Sequence, residues 1–211
     1  MMKNCISRIK NRKDYVLNPS NGLPDEMLYG RAGYLYALLL LQKEIGRTAV
    51  EDSLVRAVVA AILDSGRSMA QRRKSKVPLM YQWHEKDYLG AAHGTAGILF
   101  MLMQAKEHLT SEELEDLVRP TVDGLATLVF SSGNFPSSLG NMHDRLVQWC
   151  HGAPGSVYLF GRHTRSLGTR VTWRKLRGRG SVCGSEASSR RVMGFVMALL
   201  AMDMHCSTCI R

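Results

Sequence analysis

The chain has 211 residues, 45% hydrophobic and 22% charged, with a formal net charge of +10 at pH 7. That is the length and make-up of one globular domain or a domain with a tail, and runs such as "YLYALLLLQ" and "VMGFVMALLAM" are too short to span a bilayer. The charge is unevenly placed. Residues 1–160 carry 18 Lys and Arg against 16 Asp and Glu, whereas residues 161–211 carry 10 against 2. A basic tail binds any polyanion weakly, so the charge does not mark a specific nucleic-acid binder.

At the N-terminus, Met1 to Lys13 is basic and polar with no apolar run behind it, which is not the pattern of a secretory leader. Its five basic residues are suited to weak peripheral contact with an anionic membrane surface. Five cysteines (Cys5, Cys150, Cys183, Cys206 and Cys209) make an odd, irregularly spaced set. That favours free thiols or a metal over a disulfide framework, and with it a reducing, cytoplasmic setting.

Three segments then repeat: "YGRAGYLYALLL" at 29–40, "HGTAGILFMLMQ" at 93–104 and "HGAPGSVYLFGR" at 151–162. Each has a glycine, two residues, a second glycine and an apolar run, giving the pairs Gly30/Gly33, Gly94/Gly97 and Gly152/Gly155. The spacing between repeats suits a helical hairpin with long connections. After Gly33 a helix is expected up to Gly46, where a left-handed cap is least costly. In "EDSLVRAVVAAILDSG", Leu54, Val55, Val58, Val59 and Ile62 share one helical face. Thr110 and Glu113 have capping-box spacing at the start of a further helix, with a kink or break expected at Pro120. The fold class is all-α, built as sequential hairpins. If the helix starts converge at one mouth, the residues just before each first glycine, Tyr29, His93 and His151, face its centre, with Cys150 one place earlier. The plainer alternative is that each glycine pair is helix punctuation and the histidines are satisfied polar residues.

The stretches "PLMYQWHEKDYLGAAHGTAGILFMLMQ" (78–104), "SSGNFPSSLG" (131–140) and "LVQWCHGAPGSVYL" (146–159) together resemble the lanthionine synthetase C-like family in its eukaryotic form, over about residues 15 to 160. The resemblance implies an α/α-toroid with zinc at the mouth. It also implies an activity: addition of a thiol, glutathione or a cysteine, to dehydroamino acids in a protein or peptide. By the same carry-over Cys150 is a zinc ligand, His93 an acid/base residue, and His151 sits beside the metal. The chemistry suits these residue types. Coordination to zinc deprotonates a thiol, and the enolate formed by addition needs a proton donor such as histidine.

After Phe160 the resemblance ends. The later Cys-His block that completes the zinc site in the family is missing, and the toroid is left incomplete. The following run, "GRHTRSLGTRVTWRKLRGRGSVCGSEASSRR", is rich in Arg, Gly and Ser, and disorder is expected there. The division is therefore a helical-hairpin domain over 1–160 and a basic tail over 161–211. Cys206, Cys209, His205, Cys183 and His163 are candidates for the missing ligands, although incidental thiols are the simpler reading. The apolar segment 192–202 is a candidate to cover inner-helix surface left open by the incomplete ring. Three functional readings follow. The chain is an impaired zinc-dependent thiol-addition enzyme, or a non-catalytic glutathione- or protein-binding member. Otherwise it is a truncated product without independent activity, whose ring a partner chain would complete. A glycosidase would need paired carboxylates at the centre, and Tyr29, His93 and His151 stand there instead. His84 reads as a loop residue, His108 as a helix-end residue, and His143, Asp144 and Arg145 as solvated loop charges.

Overall fold

Each of the three glycine pairs opens a helix. The computed structural model describes residues 7–167, which are all-α, with no strand among the described residues. A short helix α1, Lys13–Leu17, leads to α2, Arg31–Ile45, and then to α3, Asp52–Arg72. The second repeat opens α4, Thr95–Gln104. A π-helical turn, Glu113–Val118, runs into α5, Arg119–Ala126, and the third repeat opens α6, Ala153–Leu167. The three helices that follow glycine pairs pack side by side in chain order, α2 against α4 and α4 against α6, while α3 and α5 pack behind them.

Burial follows the sequence pattern. Helix α4 lies in the middle of the row and buries Ala96, Ile98, Leu99, Met101, Leu102 and Met103, as a helix that is apolar all round must. Leu54, Val55, Val58, Val59 and Ile62 of α3 are buried on one face. The expected stop at Gly46 is present, with a backbone φ of 126° that a residue with a Cβ rarely adopts. Helix α3 runs on through Gly66, where the Tyr81 ring packs so closely that a Cβ would lie 2.6 Å from its Cζ and hydroxyl oxygen. The capping box forms in both directions. The Thr110 N–H donates to Glu113 at 2.9 Å and the Glu113 N–H donates to the Thr110 hydroxyl at 3.1 Å. Arg56 of α3 then holds Glu113 through two hydrogen bonds of 3.0 and 2.7 Å. Of the kink or break expected at Pro120, the chain shows no break, but the helix changes there from a π-helical turn ending at Val118 to α5 starting at Arg119. The proline falls in the first turn of α5, just after the wider π-helical turn, where its missing N–H is tolerated.

The glycine pairs have a common cause. The loop before each helix folds back over its first turn, six residues upstream of the glycine it covers. A Cβ on Gly33 would lie 2.2 Å from the Met27 carbonyl oxygen, on Gly97 2.0 Å from that of Ala91, and on Gly155 2.0 Å from that of Trp149. Residues two and three places further back close the helix amides. Arg31 and Ala32 donate to Pro24 and Asp25, and Thr95 and Ala96 donate to Tyr88 and Leu89, at 2.9–3.2 Å. The third loop uses a side chain instead, with Ala153 N–H donating to Asn134 Oδ1 at 2.8 Å.

Helix α6 crosses position 160 and reaches Leu167. The basic run from 168 onward, the apolar segment 192–202, and Cys5, Cys183, His205, Cys206 and Cys209 lie outside the described residues. No helix of the described residues is long and apolar enough to cross a membrane.

Candidate functional site

The loop before α2 is set by a buried ion pair. Arg31 donates to the Val16 carbonyl at 2.9 Å, to that of Leu23 at 2.8 Å and to Asp25 at 3.0 Å, and Asp25 also accepts the Ser65 hydroxyl at 2.5 Å. Burial still pushes the Asp25 carboxyl above the usual range, against the pull of Ser65 and Arg31. Glu26 follows, 2% exposed. Its carboxylate accepts the N–H groups of Leu28, at 2.9 Å, and Tyr29, and it faces His93 Nδ1 at 2.7 Å. A carboxylate fixed by two amides is an acceptor at its third partner. His93 therefore carries its proton on Nδ1 toward Glu26, leaving Nε2 for whatever reaches the mouth.

An aromatic surface surrounds that imidazole. Tyr29 and Trp83 stack near His93, with ring centroids 6.3 and 6.1 Å from it and planes 12° and 17° apart. Trp83 is presented by a tight turn in which Trp83 and Lys86 exchange backbone hydrogen bonds of 2.9 and 3.0 Å. The two central residues, His84 and Glu85, take φ values of 45° and 58°, a conformation normally left to Asn and Gly. A groove of about 890 Å³ shares Trp83 and His84 with this surface and runs over Asp25, Arg31 and α3.

The third loop meets the second directly. A Cβ on Gly90 would lie 2.0 Å from the Cys150 carbonyl oxygen. Cys150 is half-buried, and its thiol donates to Gln148 Oε1 at 3.4 Å. Next to it, His151 lies 5.6 Å, centroid to centroid, from Tyr88, which is itself 6.3 Å from His93. Burial, and then the proximity of His93, hold the His151 pKa below its usual value, and its buried Nδ1 has no hydrogen-bond partner. Asn134 ties this loop down. Its amide donates to Asp144 at 2.7 Å and to the Leu146 carbonyl at 3.0 Å, while its oxygen caps Ala153. Asp144 also accepts the Ser132 hydroxyl, so this exposed loop charge helps to anchor the loop as well.

Tyr29, His93 and His151 thus share one mouth with Cys150 beside them. A zinc centre needs at least three protein donors. Among the described residues no three His, Cys, Asp or Glu side chains gather to hold a metal. The donors among the described residues do not by themselves complete a zinc site. His163 cannot add to it. It lies ten residues into α6, about 15 Å along the helix from Ala153, fully buried with Nε2 3.5 Å from Asp123. His108 pairs loosely with Asp52 at a short helix end, and His84 lies in the Trp83 turn.

Sequence reasoning passed over Glu26, Trp83 as a stacking partner, and Asn134. Glu26 stands four residues before Gly30, and the same place holds Gly90 and Gln148 in the other loops. Comparing that position across the repeats was the available signal.

Comparison with known proteins adds a family. The family profile described as lanthionine synthetase C-like protein matches residues 1–165, beginning earlier and ending a turn later than the resemblance read from the motifs. A Danio rerio protein named glutathione S-transferase LANCL1 is 37% identical over 168 residues, covering 79% of this chain and 42% of its own length. The chain thus spans less than half the length of that relative.

Proposed function

The chain belongs to the lanthionine synthetase C-like family, and from that premise we propose that its mouth is the proton-handling part of a thiol-addition site. The observation that carries this is the Glu26–His93 pair, buried on the carboxylate side and open on the Nε2 side. The reaction adds R–S–H across the carbon–carbon double bond of a dehydroamino acid. His93 Nε2 takes the thiol proton, sulfur bonds to the β carbon, and the double-bond electrons move onto the α carbon and its carbonyl. The same nitrogen then returns the proton to the α carbon. Glu26 holds the ring in place through both transfers. Tyr29 and Trp83 flank it with aromatic surface, and the adjoining groove gives an extended acceptor a place to lie. The name of the Danio rerio relative supports glutathione as the thiol.

A second reading is binding without turnover, favoured by the absence of three gathered metal donors among the described residues. In that reading Cys150 and His151 line a glutathione or thiol-peptide pocket. A zinc centre on Cys150 would draw its other donors from outside the described residues. One experiment separates the readings: the purified chain is incubated with glutathione and a dehydroalanine peptide, and the adduct is followed by mass spectrometry. Adduct formation above the buffer rate that is lost in His93→Asn supports the enzyme. Calorimetric binding of glutathione without adduct, retained in Cys150→Ala, supports the binding reading. Neither adduct nor binding overturns both.

A further inference from the structure

The packing of neighbouring repeats obeys a register that the described residues leave open at both ends. A Cβ on Gly97 would meet Met27 Cγ at 2.9 Å, and one on Gly155 would meet Ala91 Cβ at 2.7 Å. Met27 and Ala91 hold the same place in their own loops, six residues before Gly33 and Gly97. Each loop therefore covers the second glycine of its own helix with a carbonyl and the second glycine of the next helix with a side chain. The first and third repeats show where this stops. The three nearest neighbours of a Cβ on Gly33 are backbone atoms of Met27, the last of them 3.9 Å away, so among the described residues no side chain of a preceding loop fills that slot. The third member of the series is Trp149, six residues before Gly155, and it is 46% exposed.

A second set of residues recurs at one position of the repeat, and one pair of them is in contact. Three positions after each second glycine stand Tyr36, Phe100 and Tyr158. Phe100 and Tyr158 meet edge to face with centroids 6.4 Å apart, whereas Tyr36 is 50% exposed and Tyr158 45%. Leu40, one turn beyond Tyr36, is also exposed, as are Leu146 and Val147 beside Trp149. The two apolar ends are different surfaces, each matching what the internal repeats place against the other.

We infer that this chain associates head to tail with a second copy of itself, Trp149 of one copy filling the slot at Gly33 of the next and Tyr158 meeting Tyr36. The contact continues the interface already formed between α2 and α4 and between α4 and α6. It is heterologous, so it propagates from copy to copy until the rotation closes a ring. Exposed apolar surface at both ends supplies the drive, and a buried tryptophan is the side chain type that most often anchors such contacts.

Sedimentation velocity on the full chain, from about 1 to about 100 μM, tests the association across the usual range of weak to moderate affinities. The expected result is a concentration-dependent oligomer whose dissociation constant rises about tenfold or more in Trp149→Ala. A photo-crosslinking benzoylphenylalanine at position 149, in a mixture of isotopically light and heavy chains, is expected to link to residues 27–40 of a second copy. A monomer at every concentration overturns the inference. So does a link within one chain, including to residues 168–211, or a link between the two copies' own 149 regions. Should Trp149→Ala lose its helical circular dichroism, the cross-link map decides.

Discussion

Glu26 and His93 stand 67 residues apart in the chain and meet at 2.7 Å, with the carboxylate already held by two backbone amides. Glu26→Gln keeps the shape and removes the charge. The amide can present either its oxygen or its NH2 to Nδ1, so the single tautomer is lost. The expected outcome is a mixed tautomer in the ¹⁵N spectrum of His93 and about a hundredfold slower glutathione addition. The double variant with His93→Asn should be no slower than His93→Asn alone, because the two residues act as one unit. Additive losses would separate them.

Asn134 acts on the site from a distance. It ties Asp144, Leu146 and Ala153 together, and Cys150 hangs between those points. Asn134→Ala leaves the first amide of α6 without its cap and is expected to cost about 1–3 kcal/mol in urea unfolding. The Cys150 thiol should also react faster with an aromatic disulfide reagent in the folded variant. An unchanged thiol rate together with lost stability would confine Asn134 to a packing role.

The turn that presents Trp83 holds two side chains in a left-handed conformation. Replacing His84 and Glu85 by Asn and Gly relieves that strain at both positions. The pair is expected to raise stability by about 1 kcal/mol, after allowance for the greater freedom glycine has in the unfolded chain. Thermal and urea unfolding check this directly. A loss of stability would mean that the edge-on contact of His84 with Trp83, 4.1 Å between centroids, outweighs the strain.

His163 gives the fold an acid-sensitive point. Its ring is buried on α6, faces Asp123 at 3.5 Å without hydrogen-bond geometry, and among the described residues neither nitrogen has a hydrogen-bond partner. Burial, first, lowers its pKa from the ordinary 6.5, Asp123 and Glu115 oppose that shift, and Arg119 adds to it. The unfolded chain then binds the proton more readily than the folded one. Stability is therefore full above the unfolded value and is lost as pH falls below it toward the depressed folded value. His163→Leu should flatten the fall in urea stability between about pH 7 and about pH 5. His151, shifted the same way, contributes to the fall in the same sense.

Much of this was legible in the residues. The capping box of Thr110 and Glu113, the buried face of α3 and the three helix starts all follow from short-range patterns, where spacing alone fixes geometry. The glycine pairs were visible as a repeat, yet their reason was not. It lies in carbonyls six residues upstream that fold back onto each helix, and composition carries no sign of that. Glu26 was hidden for a related reason. Its partner is in the next repeat, and a lone acidic residue in "LPDEMLYG" looks like any loop charge until His93 is set beside it. Pro120 marked the place of an irregularity but not its form, which is a wider helical turn just before the proline.

One consequence of the folded-back loops concerns anions. Three helices converge at the mouth, and the positive ends of their dipoles would ordinarily make it a cradle for a carboxylate or thiolate. Here the leading amides of α2 and α4 are already closed by carbonyls, and the first amide of α6 by Asn134. A negatively charged ligand finds little free backbone there. Its charge has to be met by side chains, so selectivity at this mouth rests on residues that substitution can change and not on the helix scaffold.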